Sequence, residues 1–163
     1  MPLKDSLISY YKLDNTALDE LGLNNGVVGL ATPDQNGQIN TCYSFDQTIN
    51  NISTTTTNFP INAASRSVSL WIYSTTSQNA DQFSFCYGTG DTGKLFSIFR
   101  QGGGTPSDKL SFAGWSADYT ANYVIANNTW IHIVCTYDGT YIRLYANGAL
   151  VGTSGSLTLA TPA

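Results

Sequence analysis

The feature that most constrains this chain is the run Trp130-Ile-His-Ile-Val-Cys-Thr-Tyr137 together with the segment after it. Asp138-Gly139 comes next, then Tyr141 to Tyr145, then Asn147-Gly148, then Ala149 to Thr153. Asp-Gly and Asn-Gly supply the positive φ angles that two-residue hairpins require, so three consecutive antiparallel strands are expected. The first is apolar at nearly every position, which predicts burial on both faces and a central place in its sheet.

The rest of the chain reads the same way. No stretch keeps apolar residues at helical spacing for three turns, whereas short β-rich runs recur between turn residues. The predicted strands are Leu7 to Leu13, Gly26 to Leu30, Thr41 to Phe45, Ser67 to Tyr73, Phe83 to Tyr87, Leu95 to Arg100, Lys109 to Trp115, Trp130 to Tyr137, Tyr141 to Tyr145 and Leu150 to Thr153. Ten strands in 163 residues imply an all-β domain made of two packed sheets or a barrel. Asn50 to Asn58 reads as a loop, as does Gln101 to Ser107 with its glycine triplet Gly102-Gly103-Gly104. The triplet lacks the Lys-Ser/Thr and helix of a phosphate cradle, so a hairpin loop is expected there.

Composition removes several function classes. Charged residues are only 11% of the chain, the net charge is −4, and the seven Lys and Arg are scattered, so nothing here would neutralise a nucleic-acid backbone. The acidic residues are ten Asp and one Glu, Glu20, and the one His is His132. A pair of glutamates for glycoside hydrolysis cannot be assembled, nor a histidine cluster for zinc, and no enzymatic activity is expected. Cys42, Cys86 and Cys135 are read as three core thiols with room for one bridged pair. Neither a signal peptide nor an apolar run long enough to span a membrane is read. Trp71 and Trp130 lie inside apolar runs and are expected in the core. His132, between Ile131 and Ile133, is read as a hydrogen-bonded core histidine rather than a catalytic base.

A set of motifs in fixed order carries a resemblance. These are Tyr10-Tyr11-x-Leu13-Asp14, Asp19-Glu-Leu-Gly22-Leu-Asn24-Asn25-Gly26, Cys42-Tyr-Ser-Phe45-Asp46, Val68-Ser-Leu-Trp71-Ile72, and Trp130-x-His132-x-x-x-Thr136-Tyr137-Asp138-Gly139 with Leu144-Tyr145-x-Asn147-Gly148. Together they resemble the laminin-G-like, concanavalin A-like jelly-roll superfamily over nearly the whole chain. The resemblance implies a single domain, residues 1–163, with two antiparallel sheets packed face to face. It also implies binding of carbohydrate or protein ligands, often with a calcium ion. Members usually end on a further strand that pairs with the first and carries an acidic motif, and here the chain ends at Leu157-Thr-Leu-Ala-Thr-Pro-Ala163. Two outcomes stay open: Leu7 to Leu13 is an unpaired edge that meets another protein chain, or Leu157 to Leu159 closes the sheet.

The residues offer two candidate sites. Asp14, Asp19, Asn24 and Asn25, with Glu20 between them, crowd oxygen donors into a loop that resembles the family's Asp-x-x-Gly-x-Asn-x-Gly calcium loop, although the same residue types are ordinary turn formers. Sugars bind by stacking on exposed aromatic rings while short polar groups take their hydroxyls. The stretch Phe112 to Tyr123 interleaves both kinds of residue. Trp115, which follows Gly114 at a strand end, is the expected stacking residue, with Asp118, Tyr119, Asn122 and Tyr123 as companions. The leading expectation is a non-catalytic lectin-like module recognising carbohydrate or a glycoprotein. The alternative is a structural or host-attachment domain of a virion or surface particle, where low charge and abundant Thr, Asn and Ser suit docking. Either setting is extracellular or on a particle surface.

Overall fold

The computed structural model describes residues 6–46, 50–103 and 107–162. It is all-β, with antiparallel strand pairing throughout the named strands and no α-helix among the described residues. Two compact units divide it, Met1–Phe59 and Pro60–Ala163.

The first unit holds two short ribbons. β1 (Val27–Gly29) pairs with β4 (Asn51–Ser53), and β2 (Thr32–Asn36) with β3 (Thr41–Ser44). β4 falls within the stretch read as a loop, and β2 is not among the predicted strands. Its sequence, Thr-Pro-Asp-Gln-Asn, has poor strand propensity, is exposed throughout, and is interrupted between Thr32 and Gln35, where Asp34 adopts φ 60°.

The predicted strand Leu7 to Leu13 does not form. Only Tyr11 makes a bridge, to Asp19, and Leu13 turns the chain at φ 59°. The ladder groups of this segment are taken locally instead: Tyr10 N–H donates to the Asp19 carboxylate at 2.9 Å and Tyr10 C=O accepts from Glu20 N–H at 2.9 Å. The edge expected to meet protein partners is therefore not a strand edge.

The second unit is the sandwich. Its first sheet runs β12 (Ala149–Thr153), β11 (Ile142–Ala146), β10 (Trp130–Tyr137), β5 (Arg66–Tyr73); its second runs β6 (Gln82–Gly88), β7 (Leu95–Arg100), β8 (Lys109–Ala113), β9 (Tyr119–Val124). The expected meander is present as β10–β11–β12. Gly139 (φ 98°), Asn147 (φ 48°) and Gly148 (φ 82°) supply its positive angles, and the Asp138 carboxylate accepts from Thr140 and Tyr141 N–H. Gln101 to Ser107 joins β7 to β8 as a hairpin connection, although Gly104, Thr105 and Pro106 lie outside the described residues.

The core lies between the sheets. From one come Ile131, Ile133, Cys135, Tyr137, Ile142 and Leu144; from the other Phe96, Ile98, Leu110 and Phe112, all buried. Phe96 and Phe112 meet edge to face at 5.1 Å, and the space at Gly152 of β12 is closed by Tyr119 and Ala121 of β9.

β10 is central, between β5 and β11, but it is not buried on both faces. Ile131, Ile133, Cys135 and Tyr137 face the core, while Trp130, His132, Val134 and Thr136 alternate outward and are half-buried. Outward alternation also corrects the tryptophan and histidine expectations. Trp71 is 42% exposed, Trp130 is half-buried, and His132 lies between them on the outer face rather than in the core. The outward positions of the strand are Trp, His, Val and Thr, three of which carry a polar atom or an amphipathic ring that tolerates partial exposure.

Of the cysteines only Cys135 is a core thiol, pushed up to about 12 by burial. Cys42 is half-buried and Cys86 exposed, and all three are free. The tail Leu157 to Leu159 forms no strand either. Leu157 N–H donates to Thr140 C=O at 2.7 Å, Leu159 N–H to the Tyr137 hydroxyl at 3.3 Å, and Thr161 bridges to Asn62.

Candidate functional site

The outer face of the β6–β9 sheet carries an open pocket of ≈ 340 Å³, lined by Asp81, Phe83, Leu95, Phe99, Ala113, Trp115, Ser116 and Asp118. Its floor depends on an irregularity in β6. Residues 83, 85 and 87 of a regular strand would share one face. The register instead shifts between Phe83 and Phe85, so Phe85 pairs with Ile98 and Tyr87 with Phe96 on the core side, whereas Phe83 pairs with Phe99 on the outside. Bulges re-aim side chains in this way. Phe83 and Phe99 stack with ring centroids 5.3 Å apart, and Phe83 remains 57% exposed.

Trp115 forms one wall. It stands just beyond the end of β8 in a turn closed by Asp118, whose Oδ1 accepts from Gly114 N–H at 3.0 Å. Trp115 and Ser116 both adopt positive φ, 57° and 64°, conformations that cost non-glycine residues about 1 kcal/mol or more each. Trp115 C=O accepts from Gly93 N–H at 3.0 Å, and the far edge of its ring lies over Gly90. The indole is thus held by backbone contacts while 53% of the residue stays exposed. Across the pocket Asp81 Oδ1 accepts from Gly102 N–H at 2.8 Å, which fixes its carboxylate at the rim. The result is an aromatic floor and wall with two carboxylates and the Ser116 hydroxyl at the edge.

Of the sequence-predicted binding residues, the structure brings Trp115 and Asp118 into this pocket and leaves Tyr119, Asn122 and Tyr123 outside its lining. Asn122 shares the outer face but accepts from Lys109 Nζ at 3.0 Å. Tyr119 and Tyr123 alternate to the side of buried Ala121, and the Tyr119 hydroxyl reaches toward Gly152 of the other sheet. Phe83, Phe99 and Asp81 were missed. The run Phe83-Ser-Phe-Cys-Tyr87 does not tell which of its three rings leaves the common face, because the register shift that turns Phe83 outward is set between strands.

The four residues expected to hold calcium are occupied by the protein itself. Asp14 accepts from Asn40 Nδ2 at 3.1 Å and from Thr41 N–H at 3.3 Å. Asp19 is buried and accepts from the backbone N–H groups of Tyr10, Leu21 and Asn24. Burial pushes its carboxyl up, but these donors together with Leu23 N–H outweigh burial and hold it below the usual range. Asn25 Oδ1 accepts from Asp19 N–H. Asn24, fully buried, donates to Ser9 Oγ and Thr57 C=O while its Oδ1 accepts from Thr55 Oγ1 and Thr57 N–H. Among the described residues no group of three or more His, Cys, Asp or Glu is placed to hold a metal. Each of these oxygens accepts from a protein donor, and the network ties Asp14 to residues 40–41 and Asn24 to residues 55–57. Glu20 pairs with Lys12 at 2.9 Å.

Comparison with protein-family models matches residues 46–163 to the concanavalin A-like lectin/glucanases superfamily, through a laminin-G model. The chain belongs to this superfamily. Among solved structures it is similar to domain 4 of AbnA, a GH43 extracellular arabinanase from Geobacillus stearothermophilus, solved in complex with arabinotriose. The TM-score is 0.66 at 19% identity, over 95% of this chain and 78% of that one, a likeness of fold. Comparison with curated proteins gave no match. No helix among the described residues is long and apolar enough to cross a membrane.

Proposed function

We propose that this concanavalin A-like chain is a non-catalytic carbohydrate-binding module whose ligand enters the pocket on the β6–β9 face. The observation that carries the reading is Trp115, half-exposed and held at a strained backbone angle beside the stacked pair Phe83 and Phe99. The turn residues after β8 hold the ring out from the sheet, where an exposed aromatic face can stack on a sugar. A sugar would lay its C–H face on the indole and the Phe83 ring, and direct its hydroxyls to Asp81, Asp118 and Ser116. The neighbour's arabinotriose complex and the superfamily's lectin members support a neutral oligosaccharide, and an extracellular setting accords with that neighbour.

The non-catalytic reading rests on the carboxylate inventory: the one glutamate, Glu20, pairs with Lys12 and does not line the pocket, and Asp81 and Asp118 each accept a backbone N–H through one oxygen. Calorimetry against arabinotriose and a panel of neutral oligosaccharides tests the proposal. Saturable binding that Trp115→Ala weakens by about tenfold or more supports it. Equal binding by Trp115→Ala, or release of reducing sugar from the bound ligand, counts against it.

A further inference from the structure

The opposite outer face of the sandwich carries a second set of rings. β5 and β10 are in register, so their outward residues form rungs: Tyr73 with Trp130, Trp71 with His132, Ser69 with Val134, Ser67 with Thr136. Tyr73 and Trp130 have ring centroids 5.3 Å apart, Trp71 and His132 5.0 Å. His132 is fixed by a hydrogen bond with Ser69 Oγ at 2.8 Å, and its backbone N–H donates to Asn147 Oδ1 at 2.9 Å. Trp71 and Tyr73 remain 42% and 44% exposed.

We infer that this face is a second glycan-binding surface, an open aromatic strip that takes a linear neutral polysaccharide chain. Successive same-face residues on a strand are about 6.8 Å apart and neighbouring strands about 4.8 Å, so the two rungs form a patch two rings long and two wide, with the rings tilted 38° and 48° to each other within the rungs. Its charge selects the occupant. None of the eight outward residues on β5 and β10 is Asp, Glu, Lys or Arg, and Arg143 on the next strand is paired with Asp138 at 2.6 Å. Such a surface offers nothing to an acidic or basic partner. Hydroxyl groups of Ser67, Ser69 and Thr136 continue the strip beyond the rings, a mixture of ring faces and short polar groups that matches a chain of sugars. The pocket lies on the outside of the other sheet, so the inference stands apart from the pocket reading and makes the module two-sided.

The chain has three tryptophans, one in the pocket and two on the strip, so indole N–H resonances of the ¹⁵N-labelled protein report the two faces separately. The probes are soluble arabinan, arabinoxylan, mixed-linkage β-glucan and galactomannan. With at least one, the Trp71 and Trp130 signals are expected to shift saturably, and to do so in Trp115→Ala as well. In native affinity gels Trp71→Ala with Tyr73→Ala should weaken retardation about tenfold in the Trp115→Ala background, while Trp71→Phe, which keeps a ring, retains most of it. Shifts confined to Trp115, or none with any probe, overturn the strip. So does concentration-dependent dimerisation that buries the Trp71 signal. Movement of Trp71 and Trp130 with Trp115 silent would sustain the strip and defeat the pocket.

Discussion

The guanidinium of Arg66 lies 5.3 Å from the ring centroid of Phe96, in the core of the sandwich and across from one sheet to the other. The rings of Tyr87 and Tyr137 are at 5.8 and 5.6 Å. Arg66 is 7% exposed and donates to Ala64 C=O and Pro60 C=O, each at 2.9 Å, and to Asn62 C=O and the Tyr87 hydroxyl. A buried cation is tolerable here because its donors are satisfied by carbonyls and its faces by rings. The fork ties residues 60–64 to the start of β5.

Arg66→Lys should therefore be costly although it keeps the charge. An ammonium cannot span several carbonyls in a plane, and unpaired buried acceptors cost about 1–3 kcal/mol each. A loss of about 2–4 kcal/mol in urea unfolding is expected. A loss under about 0.5 kcal/mol, the range of ordinary surface substitutions, would show that water replaces the fork.

Core and outer face should separate cleanly by stability. Ile133, fully buried on β10, should cost about 2–5 kcal/mol when truncated to Ala. Trp71→Ala, on the outside of β5 between Leu70 and Ile72, should cost less than about 1.5 kcal/mol despite the larger side chain removed. Thermal melts of the two variants check the contrast. Comparable losses would mean that the strip is packed rather than open.

How far the sequence was readable depends on the kind of force at each place. The β10–β11–β12 meander was legible because Asp138-Gly139 and Asn147-Gly148 fix turns locally. Leu95–Arg100 and Trp130–Tyr137 were read to the residue because turn residues bound each β-rich run at both ends. Leu7 to Leu13 misled: its composition is that of a strand, but the buried Asp19 carboxylate captures Tyr10 N–H, a contact nine residues away that propensity does not contain. β2 has no strand composition and exists because β3 pairs with it. In the site, Trp115 and Asp118 were legible from their turn. Phe83 was not, since its outward direction depends on a register shift between strands.

Calcium chelation should leave this module unchanged. Asp14, Asp19, Asn24 and Asn25 spend their oxygens on protein donors, so adding a chelator should not lower the melting temperature, and oligosaccharide affinity should be the same with or without the metal. A bound ion would stabilise the folded chain by mass action, so a melting temperature that rises with calcium concentration would show that the loop rearranges to take one.

Acid should find two carboxylates that stabilise the fold. Asp138 is held at about 2, chiefly by Tyr141 N–H and by its hydrogen bond from Arg143, and Asp19 also lies below its usual value. A carboxyl depressed in the folded state contributes stability that is fully present above its unfolded pKa, near 3.9, and is lost as pH falls through the folded value. Stability should thus be flat in this respect from neutral pH down to about pH 5, then decline progressively toward pH 2. Asp138→Asn keeps an oxygen for Thr140 and Tyr141 N–H but cannot ionise, so it should be less stable at neutral pH and lose less on acidification. Urea unfolding of both proteins at pH 7, 4 and 2.5 measures this. Parallel declines in the two would assign the acid response to Asp19 or another carboxylate, such as Asp108 beside buried Arg100, and leave the hairpin carboxylate without a part in it.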